Sequence, residues 1–366
     1  MLDFKSLLDF KSLFPGSRHL AGLDIGSSSL KLAEILELPK GGYVLNRFSQ
    51  IPLPRGIIVD GIINDSSLLA AKVKELFKTS GHLRKGIVTS LSGHSVIIKK
   101  VGFPTMEEEE MRDMIREDAA QYLPFDNMEE VNFDFQILGE NEYNSDQLDV
   151  LLVAAKRDII DSYTDALQAA GLEVVIMDVD SFALETVYEE NYDFDENDIV
   201  ALVNIGASIT NINVVRNDAS IFTRDFTLGG NIVTESLAER LGISFDEAER
   251  IKTEGPDGSG LSADDFSASL MGYADPICAE IERSIEFFRS TFGGDYIKNV
   301  LLSGGGAKLS GIAQDLQQRL GVDTEVFDPF KKIDINNKYV DASLVGQIGP
   351  ALAVCMGLAL RRVEDK

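Results

Sequence analysis

The segment from Ala21 to Ile35, AGLDIGSSSLKLAEI, has the pattern of a β-hairpin whose turn is built from glycine and serine. An apolar run carries Asp24 at its end, small residues follow, and a second strand-like run leads away. Such a turn leaves backbone N–H groups free to bind an anion. Because a carboxylate repels phosphate, we expect Asp24 to hold a hydrated Mg²⁺ that phosphate also binds.

A second copy of this pattern lies at Ala201 to Val215, ALVNIGASITNINVV. In the overlay, Asp24-Ile25-Gly26-Ser27-Ser28 matches Asn204-Ile205-Gly206-Ala207-Ser208. Repetition at so long a spacing predicts two related halves and not a solenoid of short repeats. We expect the two hairpins to face each other and to clamp a polyphosphate between two domains.

Composition excludes several classes of function. The length of 366 residues is enough for two domains. A formal charge of −26 argues against a nucleic-acid binder and against adsorption to anionic membranes, since both need a basic surface. Cys278 and Cys355 are far apart and read as reduced, buried thiols, and the three histidines form no metal-ligand pattern. No stretch approaches the ~18 apolar residues of a spanning helix and no signal-peptide pattern is present, so we expect a cytosolic or peripheral protein.

The first half of the chain predicts an α/β domain followed by an insert. Tyr43 to Ile51 is strand-like, Ser66 to Lys78 has helical periodicity and Gly86 to Leu91 is again strand-like, which indicates a mixed sheet. The pattern from Val96 to Val179 predicts a small α+β insert of roughly β-α-β-β-α-β type. Asp180 then opens a helix, where its carboxylate could orient a nucleophilic water or simply serve as the N-cap.

The second half contains two glycine-rich junctions between strand and helix, a feature that lets backbone approach a phosphate or nucleotide. The first is Leu228-Gly229-Gly230-Asn231 and the second is Ser303-Gly304-Gly305-Gly306. The predicted helices of this half are Ile232 to Arg240, Phe245 to Lys252, Pro276 to Phe292, Lys308 to Leu320 and Pro350 to Leu360. The last is apolar nearly all round, so we expect it to be buried between layers.

These motifs, in this order, resemble the phosphate-1, phosphate-2 and adenosine motifs of the actin, Hsp70 and sugar-kinase superfamily. Asp180 to Leu184 looks like the first connecting motif and Gly346 to Gly357 like the second, so the resemblance extends over nearly the whole chain. The insert lies where FtsA-type members place subdomain 1C. More closely, the chain resembles the PilM family of actin-like proteins of type IV pilus assembly, through Val101-Gly102-Phe103-Pro104, Leu151 to Lys156, Asp178 to Leu184 and Leu228-Gly229-Gly230.

The resemblance implies an actin-like ATPase fold of the α/β class. Two RNase H-like domains would carry an FtsA-like 1C insert and a nucleotide cleft between subdomains 1A and 2A. The expected boundaries are an N-terminal tail or short helix over 1–18, subdomain 1A over 19–95, 180–198 and 343–366, the 1C-like insert over 96–179, subdomain 2A over 199–230 and 297–342, and subdomain 2B over 231–296.

ATP and Mg²⁺ are the cofactors that the resemblance implies. Asp24 and Asn204 would hold the metal through water, and Asp180 is the candidate catalytic residue. The residues expected at the nucleotide are Gly26, Ser27, Ser28, Ser29 and Lys31 in the first hairpin, Gly206, Ala207, Ser208 and Thr210 in the second, Gly229, Gly230 and Asn231 at the ribose and phosphates, Glu249 and Lys252 around ribose and adenine, and Gly305, Gly306 and Lys308 over the adenosine.

One position departs from the superfamily pattern. Many of its hydrolases carry aspartate where this chain has Asn204, and asparagine lacks both the charge and the basicity of a carboxylate. We therefore expect at most slow ATPase activity, with nucleotide acting as a structural clamp or a slow switch.

The resemblance further implies a cytoplasmic scaffold, peripheral to the inner membrane through its partners. It would bind the cytoplasmic N-terminal tail of PilN near the insert, together with other type IV pilus inner-membrane and motor components. No nucleic acid and no direct membrane insertion are expected, and homo-oligomerisation stays open.

Two alternatives are an FtsA-like filament-forming protein and a small-molecule kinase. A kinase needs a general base, for which Asp180 is the candidate, and an FtsA-like anchor would need a longer and more basic C-terminus than Arg361 to Lys366.

Overall fold

The computed structural model describes residues 20–362 except 83, 94–95, 124, 126, 142–143, 196, 217–218, 258 and 292–295. The predicted N-terminal tail or short helix over 1–18 lies outside the described residues. The strands are β1 Ala21–Ile25, β2 Ser29–Glu37, β3 Tyr43–Pro52, β4 Ile58–Val59, β5 Ile62–Ile63, β6 Gly86–Leu91, β7 Val96–Pro104, β8 Val131–Asn141, β9 Asn144–Lys156, β10 Glu173–Val179, β11 Ile199–Ile205, β12 Thr210–Arg216, β13 Ala219–Phe226, β14 Ile297–Ser303, β15 Asp323–Val326 and β16 Ile333–Ile335. The α-helices are α1 Ser66–Ser80, α2 Glu108–Tyr122, α3 Arg157–Ala169, α4 Asp180–Asn191, α5 Gly230–Leu241, α6 Phe245–Glu254, α7 Ala263–Thr291, α8 Ile312–Leu320, α9 Ala342–Ile348 and α10 Ala353–Leu360.

Five of the six strands of the first sheet have the same order as the five strands of the second, which confirms the two related halves. Written in the same direction, the first sheet runs β16-β3-β2-β1-β6-β10 and the second runs β13-β12-β11-β14-β15. In each, three antiparallel strands are followed by two strands parallel to the first of them, β6 and β10 in one sheet and β14 and β15 in the other. The predicted hairpins β1–β2 and β11–β12 therefore occupy equivalent positions.

The insert is smaller than the sequence pattern predicted. Its sheet, β7-β9-β8, packs with α2 around Phe103, Met111 and Leu152. Helix α3 instead packs on α1, and β10 pairs with β6 in the first sheet. The predicted insert over 96–179 is therefore wrong beyond β9, because the apolar residues Leu167 and Leu172 join the core of the first domain.

Strand β16 corrects a second expected boundary. The expected boundaries place 297–342 in subdomain 2A, yet β16 pairs in parallel with β3 at the edge of the first sheet. Its Ile333 is buried in a core cluster that also contains Leu45 of β3. Three residues of strand carry too little pattern to indicate which sheet they join.

Helix α10 lies between β1 and α4, and all eight of its residues are buried, which confirms the predicted burial of the last helix. Glycines permit the close approach. A Cβ on Gly357 would lie 1.7 Å from the carbonyl oxygen of Ala183, and a Cβ on Gly22 would lie 2.5 Å from that of Cys355. This crossing therefore depends on the absence of side chains.

The helical run Ala342–Leu360 has 19 residues and is long and apolar enough, by composition, to cross a membrane. The sequence expectation that no stretch approaches this length is therefore wrong. Most of the run is buried inside the protein, and its second part is the core helix α10. The apolar composition of α10 is accounted for by its packing against β1 and α4.

Two predicted helices differ in the structure. Pro276 was expected at a helix start but lies inside α7, which begins at Ala263. The predicted helix from Lys308 to Leu320 divides into a 3₁₀ turn, Gly305–Lys308, and α8. Gly311 separates them because its φ of +93° is left-handed and cannot continue a right-handed helix.

Two chain segments cross between the halves, and they contact each other. One follows α4 and the other joins β15 to β16. The ring of Tyr192 stacks on Phe327 at 5.1 Å, and its hydroxyl accepts a hydrogen bond from the N–H of Asp328 at 2.9 Å. Asn191 Oδ1 accepts from the N–H of Lys332 at 3.1 Å. The crossings are thus joined by both stacking and hydrogen bonds.

Candidate functional site

The turns of the two hairpins have the same geometry. The N–H of Gly26 donates to the carbonyl of Ser29 at 3.1 Å, and the N–H of Gly206 donates to that of Ile209 at 2.9 Å. A Cβ on Gly206 would lie 2.7 Å from the Ile209 oxygen, so this tight turn needs glycine. The sequence repeat is therefore a repeat of structure.

The two turns face each other, as the sequence predicted, and they are in direct contact. Ser208 Oγ donates to Ser27 Oγ at 2.8 Å, and Asn231 Nδ2 donates to Ser208 Oγ at 3.1 Å. Within the described part of the chain, no protein group accepts a hydrogen bond from the backbone N–H of Ser27, Ser28, Ala207 or Ser208. Two pairs of available N–H donors therefore meet where the halves meet, as an anion site requires.

The strand positions beneath the turns also correspond. Asp24 lies opposite Lys31, and Lys31 Nζ is 2.7 Å from Asp24 Oδ2 with both side chains 12% exposed. Burial lowers the pKa of Lys31, but the charge and hydrogen bond of Asp24 outweigh it and hold that pKa above its usual value. The equivalent pair in the second hairpin is neutral, with Asn204 Nδ2 donating to Asn211 Oδ1 at 3.0 Å. One half therefore supplies charges here and the other supplies amides.

Asn211 was missed in the sequence analysis. It is 3% exposed, and its Nδ2 has no hydrogen-bond partner among the described residues. A buried amide donor without a partner is costly unless a ligand or water satisfies it. The signal was present, because Asn211 follows Asn204 by the same seven positions that separate Lys31 from Asp24.

The glycine pair at the start of α5 packs against the second turn. The N–H of Gly230 donates to the carbonyl of Gly206 at 2.9 Å, and the N–H of Asn231 donates to that of Ala207 at 2.8 Å. A Cβ on Gly229 would lie 2.6 Å from the Gly206 oxygen. These two hydrogen bonds thus stabilise the turn. Thr210 is fully buried and donates to the carbonyl of Leu228 at 2.7 Å, so it supports the same junction.

Glu249 and Lys252 lie beside this junction and pair with each other. Lys252 Nζ is 2.7 Å from Glu249 Oε2, 2.7 Å from Thr234 Oγ1 and 3.2 Å from the carbonyl of Gly230. The Lys252 side chain is mostly buried, whereas that of Glu249 is partly exposed. Both predicted residues are thus placed beside the start of α5.

The third glycine motif packs on the end of β11. A Cβ on Gly304 would lie 2.3 Å from the carbonyl oxygen of Ile205, and one on Gly306 would lie 2.3 Å from Cγ2 of Ile205. Gly305 is exposed, with no atom of the described residues within 4 Å of its Cβ position, and Lys308 is exposed as well. Gly304 and Gly306 thus permit packing, while Gly305 and Lys308 remain accessible.

Asp180 is the first residue of α4 and lies near Asp24. Val179 occupies the N-cap position and no side chain caps the helix, so the alternative that Asp180 is the N-cap is wrong. Ser90 Oγ donates to Asp180 Oδ1 at 2.5 Å. Burial, and then the charge of Asp24, raise the pKa of Asp180 to about 7. A carboxyl group with this pKa can accept or donate a proton near neutral pH.

A further contact between the halves lies beside the turns. The N–H of Gly93 donates to Asp225 Oδ2 at 2.7 Å, and a Cβ on Gly93 would lie 2.8 Å from Cδ1 of Ile209. Sequence analysis missed this contact because Gly93 and Asp225 lie far apart in the chain. A surface depression of about 520 Å³ lies elsewhere, lined by residues 337–343, and includes none of the predicted site residues.

Two sheets that share a five-strand order, with hairpin turns in contact and a glycine motif beside them, define a protein of the actin-like ATPase fold. The sequence profile of the family described as "Type IV pilus assembly protein PilM" matches residues 22–363. The chain belongs to this family, which confirms the resemblance drawn from its motifs.

Solved structures agree with this assignment. A structure described as "PilM-PilN type IV pilus biogenesis complex" matches with a TM-score of 0.83 and 30% identity over 95% of this chain and 100% of the other. Ethanolamine utilization protein EutJ from Carboxydothermus hydrogenoformans matches with a TM-score of 0.54 and 16% identity, covering 95% and 90%. MreB5 of Spiroplasma citri bound to AMPPNP matches with a TM-score of 0.50 and 13% identity, covering 94% and 95%. The last two show the fold alone.

Proposed function

We propose that this member of the PilM family is an ATP-binding scaffold of type IV pilus assembly. It binds nucleotide between its two hairpins and binds the cytoplasmic N-terminal segment of PilN. It works in the cytoplasm and reaches the inner membrane, with the other inner-membrane and motor components of the pilus, through protein partners. Family membership favours this function over an FtsA-like filament and over a small-molecule kinase.

One observation carries the nucleotide proposal, namely the contact between the two turns. Ser27 and Ser208 meet at 2.8 Å, and four backbone N–H groups beside them have no acceptor among the described residues. Backbone donors of this kind bind phosphate oxygens. MreB5, which shares the fold, has been solved bound to AMPPNP.

Mg²⁺ fits the side chains present if phosphate supplies most of its ligands. Within the described ranges, no group of three or more His, Cys, Asp or Glu residues could hold a metal ion. Mg²⁺ at phosphates keeps several waters and needs only one or two carboxylates, and Asp24 supplies one. When bound, the ion neutralises phosphate charge. Asp24 and, through its amide oxygen, Asn204 would bind its waters.

The remaining side chains determine how the nucleotide is used. Lys31 supplies a cation beneath the first turn. Asp180, whose pKa of about 7 leaves it partly ionised near neutral pH, positions a water and, in its ionised form, accepts a proton from it. The opposite pair, Asn204 and Asn211, brings no charge. We infer that nucleotide is a clamp or slow switch, with at most slow hydrolysis.

The PilN proposal is supported by the 30% identical structure of a PilM–PilN complex, which covers 95% of this chain. We place the peptide near the insert, at the sheet β7-β9-β8. The subdomain names 1A, 1C, 2A and 2B remain part of this proposal, with 1C restricted to the strands and helix that pack together there. Homo-oligomerisation is compatible with it.

Calorimetric titration with ATP and Mg²⁺ tests the nucleotide site. Wild type is expected to bind, and Asp24→Ala is expected to lose binding because it removes the carboxylate that would bind the waters of Mg²⁺. Asp149→Ala is the matched control, since Asp149 is also 12% exposed and pairs with Lys100 at 2.7 Å, but in the insert. No binding by folded, nucleotide-free wild type would contradict the proposal.

Fluorescence anisotropy of a labelled peptide tests the partner. A peptide with the sequence of the PilN cytoplasmic N-terminal segment is expected to bind, and a scrambled peptide of the same composition is not. Equal binding of both peptides, or of neither, would refute the PilN assignment while leaving the calorimetric result unaffected.

A further inference from the structure

Three side chains form an exposed contact between the two halves. Arg55 lies in the segment between β3 and β4, Glu235 lies in α5, and Phe245 is the first residue of α6. Arg55 Nη2 is 2.5 Å from Glu235 Oε1, and the guanidinium carbon is 3.7 Å from the centroid of the Phe245 ring. We call these three residues the latch. One arginine thus makes an ion pair and a cation–π contact with the opposite half.

Each side of the latch belongs to a segment that is hydrogen-bonded to one of the two turns. The N–H of Leu53, two positions before Arg55, donates to the carbonyl of Ser28 in the first turn at 2.9 Å. The N–H of Gly230, five positions before Glu235, donates to the carbonyl of Gly206 in the second turn at 2.9 Å. The latch therefore joins two segments, each of which is hydrogen-bonded to one of the two turns.

The turns must separate if a polyphosphate is to lie between them, because Ser27 and Ser208 are in hydrogen-bond contact. We propose that the latch limits how far the two hairpins separate, both without nucleotide and around bound nucleotide, and thereby controls how fast nucleotide leaves the site. This inference rests on the proposed nucleotide function and adds a means of regulating it. None of the three latch residues belongs to the nucleotide-binding set.

The chemistry of the latch suits a contact that opens and closes. The side chains of Arg55 and Glu235 are 54% and 55% exposed, so water and salt weaken their attraction. The cation–π contact with Phe245 adds a further weak term at an exposed site. Together, the ion pair and the cation–π contact slow separation of the hairpins without preventing it. The ion pair weakens as salt is added.

Release of a fluorescent ATP analogue, chased with excess ATP in a stopped-flow instrument, tests the latch. Arg55→Ala is expected to release the analogue about tenfold faster than wild type. Glu235→Ala is expected to accelerate release less, because Phe245 still holds the guanidinium. The double variant should release at the rate of Arg55→Ala, because both changes remove one shared interaction.

Arg112→Ala is the matched control. Arg112 also has a carboxylate partner, Glu108 at 3.3 Å, and an aromatic partner, Phe135 at 4.8 Å, but all three lie in the insert. It should release the analogue at the wild-type rate. Release at the wild-type rate from Arg55→Ala would overturn the proposal.

A nucleotide-free measurement separates the latch from the nucleotide function. Hydrogen exchange at the amides of residues 26–29 and 206–209 is expected to accelerate in Arg55→Ala and not in Arg112→Ala. If wild type binds no nucleotide, the proposed function fails, and this exchange still decides whether the latch holds the turns together. Unchanged exchange in Arg55→Ala would then overturn the latch itself.

Discussion

The close approach of α10 to α4 at Gly357 makes Gly357→Ala a strong test of the packing. The new Cβ would lie 1.7 Å from the carbonyl oxygen of Ala183 and 2.4 Å from its carbonyl carbon. Ordinary contact begins near 3.4 Å, so α10 or α4 would have to move by about 1.7 Å. Backbone atoms cannot rotate away as a side chain can. Any relief must therefore shift a whole helix against β1.

The magnitude follows from two opposing terms. Alanine is favoured over glycine in a helix by about 1 kcal/mol. Overpacking a well-packed core costs about 1–3 kcal/mol, and a clash between backbone and Cβ belongs at or above the upper end. We expect Gly357→Ala to lower the free energy of unfolding by about 2 kcal/mol or more, which corresponds to a fall in Tm of roughly 4–8 °C.

Circular dichroism during heating and urea unfolding is the assay, because the chain contains no tryptophan. Gly346→Ala is the control, since Gly346 lies in α9 and, in the part of the chain that the structure describes, no atom is within 4 Å of its Cβ position. That variant should be unchanged or more stable by about 0.5–1 kcal/mol. Equal stability of Gly357→Ala and wild type would refute the packing of α10 against α4.

Other predictions concern a buried carboxyl group and the crossing segments. Burial raises the pKa of Glu185 to about 7, against hydrogen bonds from Ser220 and Asn213 that lower it. Between about pH 4.5 and 7 the native state then binds more protons than the unfolded state, so stability falls as pH rises and levels off above 7. Urea unfolding midpoints measured from pH 4.5 to 8 should decline less in Glu185→Gln than in wild type. An equal decline in both proteins would contradict the raised pKa of Glu185. Phe327→Ala removes a fully buried ring stacked on Tyr192 and should cost about 3–5 kcal/mol, whereas Tyr192→Phe should cost about 1 kcal/mol by removing the acceptor for Asp328. Thermal unfolding measures both, and the reverse order of the two losses would contradict the stacking.

Local pattern was sufficient to predict the two hairpins. The alternation of apolar residues and the small residues of each turn are properties of short segments, so β1–β2 and β11–β12 lie where the sequence indicated. Their repeat predicted that the turns face each other, and the contact between Ser27 and Ser208 confirms it. The burial of α10 was likewise readable, because a helix apolar on all sides needs neighbours on all sides.

Assignment of strands to sheets could not be read in the same way. The apolar pattern of β10 indicates a strand, but nothing in it indicates pairing with β6 in place of the insert sheet. Strand β16 has three residues and pairs with β3 almost the whole chain away. Such pairings depend on packing in the folded core, where Leu167 and Ile333 contact residues that are distant in the sequence.

The glycine motifs at the site predicted that another group approaches their backbone closely, but not which group it is. Gly229 and Gly230 were expected to face the nucleotide, and the structure shows their segment bonded to the second turn. A missing Cβ permits either contact, so sequence alone cannot choose between them. Arg55 went unnoticed because a single arginine in a turn has no pattern, and its partners Glu235 and Phe245 are set by the fold.

A cysteine pair at the two turns tests the central claim most directly. In a protein with Ser27→Cys and Ser208→Cys, mild oxidation should form a disulfide when nucleotide is absent, because the two hydroxyl oxygens are 2.8 Å apart. The native Cys278 and Cys355 are buried and should react far more slowly. Saturating ATP with Mg²⁺ should slow disulfide formation, since phosphate between the turns moves them apart. If ATP binds and the rate of disulfide formation stays the same, nucleotide does not lie between the hairpins.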